Sequence, residues 1–172
     1  MAIGLSTYAL FWEWSALNPD PISLRGMLER TRELGSDLFQ ICDYAPVEEL
    51  DAGELAEIRR IADDLGIALE LGTRGVEPDH LVRYLQIADV LGATVLRSMV
   101  QRGPGKPDLA TSARLVAGLV PELEQRGVTL ALETYEQVST ADLLTVVTAA
   151  DSEKVGICLD PGNTVAALEH PM

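Results

Sequence analysis

The strongest constraint on how this chain folds is a phrase it repeats: an amphipathic stretch of helical period, a glycine, then a short apolar run. The punctuating glycines are Gly35, Gly66, Gly92 and Gly127. Ala62-Asp63-Asp64-Leu65-Gly66-Ile67-Ala68-Leu69 and Ala88-Asp89-Val90-Leu91-Gly92-Ala93-Thr94-Val95 align helix end, glycine and strand start in register. Glycine suits that place because the residue after a helix commonly turns left-handed, where a Cβ would clash. The helical stretches carry stripes at 3.6-residue period, such as Leu55, Ile58, Ile61, Ala62 and Leu65, or Leu115, Leu119 and Leu123. The runs after the glycines, 67–71, 94–100 and 128–132, are apolar on both parities, as strands covered on both faces are.

The predicted order is strand 3–9, helix 23–34, strand 38–43, helix 51–65, strand 67–72, helix 77–91, strand 94–100, helix 109–126, strand 128–134, helix 140–150 and strand 155–160. Ser139 followed by Asp142 marks the start of the helix at 140. Five β/α units and a sixth strand in strict alternation imply a parallel sheet with right-handed crossovers, as one domain over 1–172. The pattern alone fits both an open doubly wound sheet and an incomplete barrel, and the length, well short of the roughly 250 residues of a full eight-unit barrel, favours the open sheet.

Charge narrows the partners. With 13 Lys+Arg against 27 Asp+Glu the formal charge is −14, which opposes both nucleic-acid phosphates and anionic membrane surfaces. No apolar run approaches the roughly 18 residues that span a bilayer, and no signal-like segment opens the chain, so a cytoplasmic protein is expected. Cys42 and Cys158 lie inside apolar runs and read as buried free thiols, not as a disulfide or a thiolate zinc site.

In parallel α/β folds reacting groups collect at the carboxyl ends of the strands. Glu133 and Asp160 end the fifth and sixth predicted strands. On neighbouring strands they would stand about 5 Å apart at one height, and two such carboxylates either share a divalent cation or are separate rim charges bonded to amides or an arginine. Asn163, in Asp160-Pro161-Gly162-Asn163, either orients Asp160, contacts a hydroxylated ligand or is a plain turn residue. Arg97 either pairs with Glu70 on the adjacent strand or holds a ligand oxygen. Half of the chain's two Trp, four Tyr and two Phe fall in Tyr8, Phe11, Trp12 and Trp14, an apolar wall over a sugar or a subunit contact. Gly103-Pro104-Gly105-Lys106-Pro107 lacks the spacing of a phosphate loop and reads as a connection or lid; His80 reads as solvated. There is no G-x-G-x-x-G, nucleophile elbow or H-E-x-x-H, so nicotinamide, serine-hydrolase and zincin chemistry lack support.

Taken in order, Gln40-Ile41-Cys42-Asp43, Leu69-Glu70-Leu71-Gly72-Thr73-Arg74-Gly75, Leu96-Arg97, Leu130-Ala131-Leu132-Glu133 and Gly156-Ile157-Cys158-Leu159-Asp160-Pro161-Gly162-Asn163, with Glu169 following, resemble the sugar phosphate isomerase/epimerase family, the xylose isomerase-like TIM barrels. The resemblance covers nearly the whole chain and overrides the length argument. It implies a parallel (β/α) barrel, here partial, and a divalent metal (Mn2+, Mg2+, Co2+ or Zn2+) held by a Glu on strand five, an Asp on strand six, a His on strand seven and a Glu on strand eight. Only the first two map, onto Glu133 and Asp160. Glu133-Thr134-Tyr135 stands where many relatives have Glu-Asn-His, and the chain ends at His170-Pro171-Met172, before strands seven and eight.

The resemblance implies metal-dependent isomerisation or epimerisation of a sugar or sugar derivative through an enediolate. Glu133 is then ligand and acid/base, Asp160 a ligand, Arg97 and Asn163 substrate contacts, and Trp12 and Trp14 the apolar wall. Other readings are dehydration of the inosose type, a nuclease branch opposed by the charge, and a non-catalytic sugar-binding or oligomerising module. On this reading 172 residues by themselves have little activity, and an open strand edge favours homo-oligomers.

Overall fold

The computed structural model describes residues 3–101, 108–136 and 138–170. Six parallel strands follow one another in sequence order through one sheet, alternating with helices. The elements are β1 (Gly4–Ser6), α1 (Phe11–Trp14), α2 (Leu24–Glu33), β2 (Leu38–Cys42), a 3-10 turn (Ala45–Glu48), α3 (Ala52–Leu65), β3 (Ala68–Gly72), α4 (Pro78–Leu91), β4 (Val95–Ser98), α5 (Leu109–Arg126), β5 (Thr129–Glu133), α6 (Thr140–Ala149), β6 (Val155–Cys158) and α7 (Pro161–Ala166). All four punctuating glycines have positive φ, between 66° and 81°, so the repeated phrase is a repeated left-handed helix exit. The segment 103–107 lies outside the described residues. Among the described residues no helix is long and apolar enough to cross a membrane.

Two compact units make up the chain. The first comprises 1–72 and 86–94. In it Gly4 pairs with Leu38, and Gln40 and Cys42 on β2 pair with Glu70 and Gly72 on β3. Phe39, Ile41, Leu69 and Leu71 are buried with Met27, Leu28, Leu55 and Ala62 of the helices, each large side chain contributing about 1.5–3 kcal/mol by leaving water. The Ser23 hydroxyl caps α2, and Asp51 with Glu54 closes a capping box on α3. The strands are shorter than the sequence expectation, the one expected over 94–100 spanning only Val95–Ser98. The strand expected over 3–9 ends at Ser6, because the chain turns at once, Ala9 N–H donating to Ser6 O and Leu10 N–H to Thr7 O, and enters α1. The apolar run there is bent into a corner.

The second unit comprises 73–85 and 95–172. Leu96, Leu130 and Leu132 of its strands are buried with Val116, Leu119 and Leu123 of α5 and Leu143 and Val146 of α6. Asp108 caps α5 and the Ser139 side chain accepts from Asp142 N–H at the start of α6. The expected strand 155–160 stops at Cys158, because Asp160 already serves as the N-cap of α7 and Pro161 takes its first turn. Along this flank Ile157, Leu159, Val165 and Leu168 are exposed.

Candidate functional site

β4, β5 and β6 aim a polar group at their carboxyl ends. The register pairs Arg97 with Ala131, and Glu133 with Cys158. Arg97 therefore sits two residues below Glu133 on the same face, within reach of it. Arg97 Nε donates to Glu133 Oε2, and the side chains of the pair are only 5% and 12% exposed. Arg97 Nη1 donates to the Thr73 carbonyl at 3.1 Å. A buried guanidinium beside a nearly buried carboxylate is tolerable only because each neutralises the other.

Asn163 closes the other side. Its Nδ2 donates to Glu133 Oε1 and to the Thr134 carbonyl, both at 3.1 Å. Both Glu133 oxygens thus accept a hydrogen bond. Asn163 is more than a turn residue: its backbone N–H donates to Asp160 Oδ1 at 3.0 Å. The spacing Asp160–Asn163 is the N-cap geometry of α7, and it orients the carboxylate.

Thr134, buried, latches the two strand ends. Its hydroxyl accepts from Asp160 N–H at 2.8 Å and donates to the Asp160 carbonyl at 3.1 Å. This explains the residue after Glu133: a short β-branched hydroxyl bonds to the neighbouring backbone and reaches no further. The expected geometry of the carboxylate pair changes here. Glu133 is level with Cys158, so Asp160 stands two residues further along, an offset of roughly 6–7 Å in the strand direction, and not at the same height. The sequence places both carboxylates near the carboxyl ends of the strands; register is decided by packing.

Further along the network stand two residues that sequence reasoning passed over. Thr73 N–H donates to the Arg97 carbonyl at 2.9 Å, and the Thr73 hydroxyl is 2.7 Å from His80 Nε2. His80 is half-buried with its ring against Tyr84, so it is not the solvated side chain expected from its helix face. The only signal for it was its place in the first turn of the helix that follows β3.

Trp12 and Trp14 belong to the first unit. Phe11 meets both edge-on, Trp14 packs edge-on against Tyr44, and Trp14 Nε1 donates to the Thr7 carbonyl at 2.6 Å. Trp14 is thereby part of the packing, whereas Trp12 is 74% exposed. In the same unit Gln40 Nε2 donates to Glu70 at 3.0 Å, and the Tyr8 hydroxyl donates to Asp43 at 2.7 Å. Burial pushes the Tyr44 hydroxyl above its ordinary pKa.

For a divalent ion the donor chemistry is right and the set is partial. Glu133 and Asp160 present carboxylate oxygens of the kind hard cations take. Among the described residues no cluster of three or more His, Cys, Asp or Glu is placed to hold a metal.

Residues 28–171 match the family described as xylose isomerase-like TIM barrel. The chain belongs to the xylose isomerase-like TIM barrel family. A 3-oxo-isoapionate decarboxylase of Pectobacterium atrosepticum is 54% identical over 171 residues, 99% of this chain and 62% of that protein. A crystal structure of D-psicose 3-epimerase with D-fructose superposes with TM-score 0.79 at 19% identity, over 96% of this chain and 65% of that one. A xylose isomerase-like TIM barrel protein from Mycobacterium smegmatis in complex with magnesium does so with TM-score 0.71 at 21% identity, over 95% and 66%. The two structures establish the fold. The chain spans less than two thirds of the length of the decarboxylase and of the epimerase.

Proposed function

We propose that this chain carries part of the active site of an enzyme that decarboxylates a 3-oxo acid derived from a sugar, with a divalent metal as cofactor. The single observation that carries this reading is the 54% identity to the decarboxylase, extending over 99% of the chain. A 3-oxo acid has its ketone β to the carboxylate. When the bond to the carboxylate breaks, carbon dioxide leaves and the electron pair passes into the ketone, giving an enolate that is then protonated on carbon. Isomerisation and epimerisation reach the same kind of enolate by breaking a C–H bond. On this proposal the enolate of a sugar derivative would form with a departing carboxylate in place of the departing proton of an isomerase.

Glu133 accepts one hydrogen bond on each oxygen, from Arg97 and from Asn163, which leaves a lone pair on each for an ion. Decarboxylation requires only an oriented substrate, stabilisation of the developing oxyanion and one proton returned to carbon. Glu133 and Asp160 would hold the ion, which when bound supplies a positive charge beside the developing oxyanion. Arg97 and Asn163 fix the direction of Glu133, and the Asn163 carbonyl would accept from a substrate hydroxyl. A small sugar derivative as substrate, a cytoplasmic setting and self-association through the exposed β6 flank belong to the same proposal.

The test is product analysis. The protein is incubated with Mn2+ and a 3-oxo sugar acid while carbon dioxide and product mass are recorded. Carbon dioxide release that is lost in Glu133→Gln supports the proposal. A product of unchanged mass would restore the isomerase reading, and loss of water would point to a dehydratase.

A further inference from the structure

The polar network of the second unit does not stop at Arg97. His80 stands in the first turn of α4 with its ring 4.9 Å from that of Tyr84, whose side chain is 2% exposed. That contact with a fixed partner sets the plane of the imidazole. In that plane Nε2 is 2.7 Å from the hydroxyl of Thr73, a residue 4% exposed. Thr73 grips Arg97 twice, its N–H donating to the Arg97 carbonyl at 2.9 Å and its carbonyl accepting from Arg97 Nη1 at 3.1 Å. Arg97 Nε in turn donates to Glu133. We propose that His80 is a positioning residue for Glu133, acting through Thr73 and Arg97.

The backbone bonds hold Thr73 beside β4, and Gly75 N–H donating to the Met99 carbonyl at 2.9 Å holds the chain just beyond it. The hydroxyl bond to His80 ties the same residue to α4, so Thr73 is held through both its backbone and its side chain. Its carbonyl takes Nη1 of Arg97, and because the guanidinium is planar, restraining Nη1 restrains the direction of Nε. The hydroxyl can donate to an unprotonated Nε2 or accept from a protonated one, so the contact holds orientation in either state.

This inference rests on the functional reading only for the importance of Glu133, and its test is separate. Nitrogen-15 spectra of the chain follow solvent exchange of the Arg97 Nε–H, assigned by its disappearance in Arg97→Lys. His80→Phe keeps a ring on Tyr84 and removes the nitrogen, and Thr73→Val removes only the hydroxyl. Each is expected to speed that exchange about fivefold, the size of one lost hydrogen bond, and the double variant no more than either alone. His80→Gln, which keeps a polar atom, is expected to recover most of the protection. Backbone amides of β4 and β5 report whether the fold is intact. Exchange within twofold of the wild type in both His80→Phe and Thr73→Val would overturn the proposal. If exchange responds as expected while no metal binds and no carbon dioxide is released, the relay stands and the functional reading falls.

Discussion

Glu133 accepts from Arg97 on one oxygen and from Asn163 on the other, with its side chain 12% exposed. Removing it strands a guanidinium that is 5% exposed without this counter-ion. Glu133→Ala is therefore expected to cost about 3–5 kcal/mol of stability, read as a lowered urea midpoint. A loss under about 1 kcal/mol would mean that water reaches Arg97 freely. Gly72 is a second sensitive point: a Cβ there would lie 2.4 Å from Cys42 Sγ and 3.1 Å from Cys42 Cα. Gly72→Ala is expected to cost about 1–3 kcal/mol in the same measurement, because the backbone of β2 cannot move aside as a flexible side chain would. At this scale the sequence is informative about kinds of residue and poor about pairs. Arg97 and Glu133 are visible near strand ends, but a pairing offset by two residues depends on register, and the latch by Thr134 depends on where β6 stops.

The helices were the most legible elements, since their stop signals are local chemistry. Leu109–Arg126 is bounded by Asp108 and Gly127, as its sequence implies, even with Pro121 inside it. Pro121→Ala restores a backbone donor at an exposed position and is expected to raise stability by about 1–3 kcal/mol, shown by a higher urea midpoint. Strand ends were less legible. The strand expected over 3–9 stops at Ser6, and Asp160 serves a helix, not a strand. One contact between elements is pH-dependent. Glu169 accepts from the Thr140 hydroxyl and, at 3.0 Å, from the Thr140 N–H at the start of α6. These hydrogen bonds, the hydroxyl's first, hold its pKa below the ordinary 4.5. A depressed folded-state value means that the tie is present above the ordinary value and is lost as pH falls through the folded one. The Thr140 amide shift should titrate with a midpoint below 4.5, and Glu169→Gln should abolish that titration. A midpoint at or above 4.5 would contradict the assignment.

At the scale of the molecule, alternation of elements and the strand-six phrase suffice to identify the family, because a parallel β/α repeat constrains topology so tightly. The reaction is less legible. Isomerases and decarboxylases can share an enolate, so residues suited to stabilise one do not show which bond breaks. Exposed Ile157, Leu159, Val165 and Leu168 along β6 and α7 also carry a consequence. This chain is expected to self-associate, with a weight-average mass that rises with concentration in sedimentation; a monodisperse monomer across the micromolar range would refute this. The central claim is that Glu133 and Asp160 act together on one divalent ion. It is tested most directly by isothermal titration of Mn2+ into metal-free protein, with Glu133→Gln and Asp160→Asn in parallel. The account predicts binding in the wild type that both substitutions abolish. Absence of binding in the wild type, or equal binding in all three, would contradict it.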